Sequence, residues 1–254
     1  MKVVLVGAGN LATNLGKALV RKGDVSVVQV FSRTIQSAEL LAGQLGCRAV
    51  CDMDEVDRDA DAYVVSVKDN VLEQVAASVC QGREEAVFVH TAGSMPLTLF
   101  EDKAKHYGVF YPMQTFSKSK EVDFNEIPCF VEASDEYAMS VIRQLATVSR
   151  RVSPMNSADR RYLHLAAVFA CNFTNHCYAL AAEVLGQRGI PFDVMLPIID
   201  ETARKVHQLT PREAQTGPAV RYDRNVIDAQ AAMIDDPLTR EIYELLSKSI
   251  HDKH

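Results

Sequence analysis

The chain begins Lys2-Val-Val-Leu-Val-Gly7-Ala8-Gly9-Asn10-Leu11-Ala12, and this stretch decides the fold. Its apolar run predicts a buried strand, Gly7 permits a tight turn, and a helical pattern follows as far as Gly23. Gly9 lets the backbone approach a pyrophosphate, and Ala12 is small enough for close packing of helix on strand. Because a helix start also attracts anions, the stretch predicts a dinucleotide-binding turn; a plain strand-to-helix turn is the alternative.

The end of the second predicted strand, Val25–Phe31, indicates which dinucleotide binds. An NAD enzyme usually places Asp or Glu just beyond this strand to hold the ribose hydroxyls. This chain has Ser32-Arg33-Thr34 instead. Arginine stacks on adenine and binds phosphate through two nitrogens, so the tripeptide predicts NADP(H). The alternative is that Arg33 lies on a solvated loop.

Composition limits the partners. The 254-residue chain is 48% hydrophobic, has a formal net charge of −6, and shows no lysine or arginine cluster. This argues against nucleic acid and anionic membranes as partners and favours a small-molecule substrate. Polar residues interrupt the longest apolar stretch, 163–185, and no signal peptide pattern precedes the first strand, so we expect a cytoplasmic protein. The six cysteines lack metal-site spacing, so we predict no metal site and interpret the cysteines mainly as reduced core residues.

Alternating patterns predict an α/β Rossmann fold, a doubly wound parallel sheet, followed by an all-α C-terminal domain. We expect an NADP-binding domain over 1–153 and a helical substrate or dimerisation domain over 154–254. In the second half, Ser157 is predicted to be the N-cap of one helix of about 28 residues ending before Gly186. A further helix is predicted over 191–208, with a kink at Pro197. The predicted strands are 2–6, 25–31, 48–51, 62–67, 86–90, 108–111, 129–132 and 151–153.

These motifs, together with Ser66-Val67-Lys68, resemble the pyrroline-5-carboxylate reductase and 6-phosphogluconate dehydrogenase superfamily. Four further features resemble one branch of it: His90-Thr-Ala-Gly-Ser94, Tyr111-Pro-Met-Gln-Thr-Phe116, Asn172, and Gly217-Pro-x-x-Arg221-x-Asp223. In that branch a Rossmann domain of the NADP/deazaflavin oxidoreductase type is joined to a helical domain of unknown function. The resemblance implies an NADP-dependent oxidoreductase that forms a homodimer through its helical domain. It does not imply a substrate.

Loops after the predicted strands supply the cofactor site, because they emerge at one crevice. Val67-Lys68-Asp69 resembles the Val-Lys-Pro loop that meets the nicotinamide ribose in pyrroline-5-carboxylate reductases, although Lys68 is equally interpreted as a solvated charge. The predicted cofactor residues are Gly7, Ala8, Gly9, Asn10, Leu11, Ala12, Ser32, Arg33, Thr34, Val67, Lys68, Thr91 and Ala92.

Three residues are catalytic candidates. His90 ends a buried strand near the expected nicotinamide position and titrates near neutral pH; the alternative is a structural bond to a loop carbonyl. Asn172 and His176 lie on a stripe with His164 and Val168, at steps of four along the long helix. Polar groups on such a face need partners, either a substrate or a neighbouring helix. In the β-hydroxyacid dehydrogenases of the superfamily a lysine occupies the position of Val168, so the usual proton donor is missing.

Four residues are candidate substrate contacts. Ser94 follows the His90 strand, and Gln114 and Thr115 are polar residues of the Tyr111 motif. Arg221 can clamp a carboxylate with its forked guanidinium, or it can pair with a nearby aspartate.

The chain lacks Tyr-x-x-x-Lys, Gly-x-Ser-x-Gly, His-Glu-x-x-His and the Gly-Lys-Ser/Thr phosphate loop, which argues against short-chain dehydrogenase, hydrolase and NTPase activities. The leading hypothesis is NADPH-dependent reduction of a small carbonyl or imine compound between the two domains. Two alternatives stay open. One is an NADP(H)-binding sensor without turnover, favoured by Val168, and the other is hydride exchange between NADP and a deazaflavin.

Overall fold

Eight strands form one sheet in the computed structural model, which describes residues 1–83 and 85–254. Their order across the sheet is β3-β2-β1-β4-β5-β6-β7-β8. The strands are β1 (Lys2–Val6), β2 (Ser26–Phe31), β3 (Arg48–Val50), β4 (Ala62–Val65), β5 (Val87–His90), β6 (His106–Pro112), β7 (Cys129–Ala133) and β8 (Val152–Pro154).

The directions of the strands determine which edge of the sheet contains their carboxyl ends. Neighbouring strands are parallel from β3 through β6, whereas β7 pairs antiparallel with β6 and parallel with β8. The carboxyl ends of β1 to β6 therefore lie at one edge. The chain leaves β1 toward β2 on one side and returns to β4 on the other, which makes a topological switch point between β1 and β4. The predicted doubly wound α/β fold is confirmed.

Helices cover both faces of this sheet. Alternate residues of β1 belong to different core clusters: Val3 and Leu5 pack with residues of the first, second and fourth helices, and Val4 and Val6 with residues of the third. The helices are α1 (Asn10–Lys22), α2 (Ile35–Leu45), α3 (Asp69–Cys80), α4 (Glu136–Ala146) and α5 (Ser157–Ala167). Short 3₁₀ turns occupy Met53–Glu55, Leu97–Phe100 and Phe124–Glu126.

The chain divides into two compact units, Met1–Val168 and Phe169–His254. A π-helical segment (Val168–Phe173) follows α5, and a 3₁₀ turn occupies Phe192–Met195. The second unit is helical, as predicted. Its α-helices are α6 (Thr174–Gly186), α7 (Leu196–Lys205), α8 (Pro211–Ala214), α9 (Pro218–Arg221), α10 (Arg224–Ala231) and α11 (Pro237–Lys253). The functional boundary after residue 153 stays a prediction, since this division falls after α5.

Two local predictions for the helical half were wrong. The N-cap of α5 is Asn156, whose side chain accepts from the Asp159 N–H at 2.8 Å, and Ser157 is the first helical residue. Pro197 does not kink a helix but lies in the first turn of α7, where a missing N–H removes no helical bond. The stretch predicted as one helix of about 28 residues is helical from 157 to 186, with the π-helical segment inside it.

The prediction that the cysteines are mainly core residues was also wrong for part of the set. Cys80 and Cys129 are buried, and burial raises the pKa of each thiol to about 12. Cys51 and Cys177 are exposed, the first because β3 ends one residue earlier. Cys47 and Cys171 are half-buried.

Candidate functional site

The turn after β1 has the geometry that close approach of a ligand requires. Gly7 has φ +119°, and a Cβ there would lie 2.2 Å from the Ser66 carbonyl oxygen. Its N–H donates to the Phe31 carbonyl at 2.8 Å, which ties the turn to the end of β2. At Gly9, an added Cβ would meet no atom within 4 Å. The backbone is therefore packed at the first glycine and open at the second.

The first turn of α1 offers its N–H groups to an anion. Gly9 is the N-cap, no side chain caps the helix, and the turn contains no acidic residue. Asn10 is exposed and Leu11 half-buried, whereas Ala8 and Ala12 are buried and belong to the core beside β1. An uncapped helix start carries a partial positive charge, so this turn suits a phosphate group.

The loop after β2 exposes the Arg33 cation. Arg33 is exposed, and within residues 1–83 and 85–254 it makes no hydrogen bond or ion pair. Ser32 donates its N–H to the Val50 carbonyl at 3.1 Å, and Thr34 Oγ1 donates to Ser37 Oγ at 2.8 Å. The first carboxylate after β2 is that of Glu39. This arrangement favours an anionic group and, from Ser32 to Thr34, offers no carboxylate to accept from two ribose hydroxyls.

The loops after β4 and β5 contact each other. Val67 is half-buried, and exposed Lys68 precedes α3 as its N-cap residue. The side chain of Ser94 donates a hydrogen bond to the Asp69 carboxylate, which opens α3. This bond connects two of the predicted cofactor loops. It also occupies Ser94, a predicted substrate contact.

His90 is held as a neutral ring inside the β5 end. It is fully buried, its Nε2–H donates to the Pro96 carbonyl at 3.2 Å, and its Nδ1 accepts from the Ala92 N–H at 3.2 Å. Burial, with a contribution from the Arg160 cation, lowers the pKa of His90 to about 4, although the bond to Pro96 opposes the shift. Both ring nitrogens are therefore hydrogen-bonded to the backbone of loop 91–96. This geometry does not support the predicted catalytic role.

A tyrosine–histidine pair lies beside the same loop. Tyr111, near the carboxyl end of β6, places its hydroxyl 3.1 Å from Nδ1 of His164 on α5. Their ring centroids are 6.1 Å apart at an interplanar angle of 75°. A Cβ at Gly93 would lie 2.7 Å from His164 Nδ1 and 2.9 Å from Tyr111 Cζ. Sequence reasoning noted both residues but did not pair them.

A buried ion pair fixes α5 against this loop. Arg160 is 1% exposed and donates to Glu132 Oε2 at 2.6 Å and to the Met95 carbonyl at 2.5 Å. Ser157 donates its hydroxyl to Glu132 at 2.7 Å and accepts from the Leu97 N–H at 2.8 Å. Since His164 lies one helical turn beyond Arg160, the ion pair positions that histidine as well.

The remaining candidates lie in exposed positions. Gln114 accepts from the Thr115 N–H at 2.8 Å, and both side chains are exposed on the loop after β6. In the second unit, Asn172 lies in the π-helical segment and His176 in the first turn of α6; both are exposed. Arg221 forms an ion pair with Asp223 at 2.8 Å, which matches the structural interpretation of that residue.

Two other kinds of site have no counterpart among residues 1–83 and 85–254. None of the helices there combines the length and the apolar character that a bilayer span requires. The same residues contain no group of three His, Cys, Asp or Glu side chains placed to hold a metal ion.

Two family models match separate parts of the chain. Residues 2–93 match the family described as NADP oxidoreductase, coenzyme F420-dependent. Residues 127–250 match a domain of unknown function, DUF2520. No curated protein matches the chain.

Solved structures resemble the whole chain. A Bacteroides fragilis protein described as a "putative NADP oxidoreductase" is 56% identical, with a TM-score of 0.95, and the match covers 99% of this chain and 98% of that one. A Thermotoga maritima protein is 22% identical, with a TM-score of 0.68 and coverage of 99% and 98%. An imine reductase from Myxococcus stipitatus, solved with NADP+, is 16% identical, with a TM-score of 0.68 and coverage of 99% and 92%. The two distant structures share the fold.

Proposed function

We propose that this chain, which belongs to the same family of NADP oxidoreductases as the Bacteroides fragilis protein, reduces a small carbonyl or imine compound with NADPH. The observation that carries the proposal is the exposed Arg33 at the end of β2, which has no partner among the described residues and lies beside the open turn at Gly9. Arg33 suits the 2′-phosphate of NADPH, and the turn at Gly9 leaves room for its pyrophosphate. Both lie at the carboxyl edge of the sheet.

The residues present fit this cofactor. The N–H groups of the first turn of α1 would hold the pyrophosphate, and Ser32, Arg33 and Thr34 would hold the 2′-phosphate. Beyond the switch point, the loops after β4 and β5 contribute Val67, Lys68, Thr91 and Ala92. When bound, NADPH supplies a hydride to the substrate.

Substrate contacts are proposed on the same edge and on the helical unit. Gln114 and Thr115 extend from the β6 loop, and Ser94 from the β5 loop. Asn172, His176 and Arg221 are proposed as contacts from the second unit. The role of His90 in this scheme is to position loop 91–96, because both of its ring nitrogens bind that loop.

Arg33→Ala is expected to weaken NADPH binding by about 10- to 100-fold, since charge-assisted hydrogen bonds contribute about 1.5–3 kcal/mol. NADH binding is expected to change by less than twofold, because NADH lacks the 2′-phosphate. Fluorescence titration of both nucleotides measures the two effects.

Arg48→Ala is the matched control for this experiment. Arg48 is also exposed, but it lies at the amino end of β3, opposite the cofactor edge. Its replacement is expected to leave both affinities unchanged. Equal weakening of NADPH binding by the two variants, or no weakening by Arg33→Ala, contradicts the assignment.

Two alternatives are favoured by particular observations. The match of residues 2–93 to a coenzyme F420-dependent family favours hydride exchange between NADP and a deazaflavin. Val168, where the resemblance places a lysine in hydroxyacid dehydrogenases, favours a sensor without turnover. Oxidation of bound NADPH by a deazaflavin alone supports the first, and binding without oxidation by carbonyls, imines or deazaflavins supports the second.

A homodimer through the second unit is part of the proposal. Of residues 169–254, all of which the structure describes, four are buried: Ala219, Ile227, Ala231 and Ser247. Large apolar side chains there remain open, among them Phe169 at 63% and Met233 at 67% exposure. Because so few residues of this unit are buried, its exposed apolar side chains need another apolar surface to pack against. A second copy of the chain presents such a surface.

Light scattering at micromolar concentration is expected to give twice the chain mass of 28.1 kDa. Phe169→Glu is expected to halve that mass, since a carboxylate in an apolar interface lacks a partner. Tyr137→Glu, at an exposed apolar position of the first unit, serves as the control and is expected to leave the mass unchanged. A wild-type protein with the mass of one chain contradicts the dimer.

A further inference from the structure

We infer that Tyr111 and His164 form the proton relay of the reduction, with Tyr111 as the group that protonates the substrate. The inference rests on the proposed function. It assigns a proton donor to a chain that has Val168 where the resemblance would place a lysine.

The position of the pair along the sheet supports this role. The phosphate-binding features lie at the ends of β1 and β2, so the loops on the other side of the switch point, after β4 and β5, would hold the nicotinamide half of a dinucleotide. Tyr111 lies near the carboxyl end of β6, three strand spacings, or about 14 Å, from β1. Gly93, which packs against both rings, belongs to the loop that follows Thr91 and Ala92.

The environment of Tyr111 suits a proton donor. Burial raises the pKa of the phenol, which keeps it protonated in neutral solution, while the nearby Arg160 cation acts in the opposite direction. The same cation stabilises the phenolate that forms when the proton leaves. Gly93 has no side chain, so the loop leaves room for the two rings.

The proton steps balance. When the substrate carbon takes up hydride, the O–H bond of Tyr111 breaks and its proton joins the carbonyl oxygen or imine nitrogen. The phenolate oxygen takes the Nδ1 proton of His164 across the 3.1 Å hydrogen bond while Nε2 of the half-buried His164 takes a proton from solvent, so the ring passes on one proton and stays neutral. Exchange with solvent returns His164 from the Nε2–H to the Nδ1–H form, which restores the pair, and the net uptake is one proton for each hydride.

The first test follows the ring signals of isotope-labelled histidines by NMR in the full-length protein, free and saturated with NADPH or NADP+. The His164→Gln variant identifies the His164 signal. The positive charge of an oxidised nicotinamide ring held beside the pair is expected to shift the His164 signal between the NADP+ and NADPH complexes. His106, at the amino end of β6, is the control, and its signal is expected to coincide in the two complexes.

The second test follows NADPH oxidation by probe compounds, namely 1-pyrroline and small aldehydes and ketones. Tyr111→Phe keeps the ring and is expected to lower kcat by about 10²- to 10⁴-fold, with the KM for NADPH within about twofold. Without its own acid the variant depends on solvent protons, so its rate is expected to fall about tenfold per pH unit where the wild type is flat.

The outcomes separate the relay from the function on which it rests. A His164 signal equal in the two complexes, or a Tyr111→Phe variant with wild-type kcat and pH profile, overturns the relay and leaves the reductase standing. A wild-type protein that binds NADPH and reduces no probe contradicts the proposed function, and the NMR comparison then still decides whether the pair lies beside the nicotinamide ring. Failure to bind either nucleotide overturns both.

Discussion

Gly7→Ala is expected to lower the free energy of unfolding by about 3 kcal/mol or more, whereas Gly9→Ala is expected to keep the fold and lose NADPH binding. Gly7 has φ +119°, and its Cβ would lie 2.2 Å from the backbone oxygen of Ser66. Neither backbone can move freely, because β1 and β4 pair directly beside this point. Urea unfolding measures the loss.

Gly9, in the same turn, is expected to matter for NADPH binding and not for stability. Its φ of −78° is ordinary for alanine, and an added Cβ meets no protein atom within 4 Å. Its replacement is expected to change stability by at most about 1 kcal/mol, the usual range for an N-cap exchange. The methyl group separates the backbone from the pyrophosphate, and loss of two hydrogen bonds to phosphate weakens NADPH binding by about 100-fold.

Gly43→Ala is the matched control for both variants. Gly43 lies on the exposed side of α2, with open space around an added Cβ. Alanine there is expected to stabilise the helix by about 0.5–1 kcal/mol and to leave NADPH binding unchanged. Wild-type NADPH affinity in Gly9→Ala would show that the turn does not hold the pyrophosphate, and wild-type stability in Gly7→Ala would contradict the steric argument.

The sheet was predictable because its signals are local. The apolar run before Gly7, the helical pattern that follows it and the helix end at Gly23 each follow from a few neighbouring residues. Strand ends were less accurate: the strand predicted over 62–67 ends at Val65, because Ser66 already belongs to the turn region that packs against Gly7. Local patterns predict which element forms, whereas tertiary contacts determine where that element ends.

The interior of the candidate site was not predictable in the same way. Tyr111 and His164 are 53 positions apart, and Arg160 and Glu132 are 28 apart. Nothing in a hydrophobic pattern indicates that an arginine on a polar-looking helix turn is almost fully buried, since buried charge requires a partner from elsewhere in the chain. The choice between the two interpretations of His90 was open for a related reason. Its type and strand position suggested either chemistry or a structural bond to a loop carbonyl, and in the structure both of its nitrogens are bound by backbone groups two and six residues away.

The π-helical segment shows a further limit of periodicity. Steps of four from His164 to His176 predicted one continuous face, and the chain is helical throughout that range. The change to wider turns over Val168–Phe173 alters the angular spacing, however, so positions counted along an ideal helix do not fix which residues share a face. Asn172 lies inside this segment, where such turns often accompany function.

Arg160→Met is expected to lower the free energy of unfolding by about 3–5 kcal/mol, the usual result of removing one partner from a buried ion pair. It leaves the Glu132 carboxylate, 17% exposed, without its cation and removes the donor to the Met95 carbonyl. Urea unfolding measures this loss. Arg161→Met, at the adjacent exposed position of α5, is the control and is expected to stay within about 0.5 kcal/mol of wild type.

A double-variant cycle separates the charge pair from simple loss of packing. Glu132→Gln keeps an oxygen that accepts from the Ser157 N–H but removes the negative charge. Alone it is expected to destabilise the protein, because the Arg160 cation is then buried without a counter-charge. Combined with Arg160→Met it is expected to restore about 2 kcal/mol relative to the sum of the single variants. Additive losses would mean that Arg160 supports the loop after β5 through its bond to Met95 and its packing rather than through the ion pair.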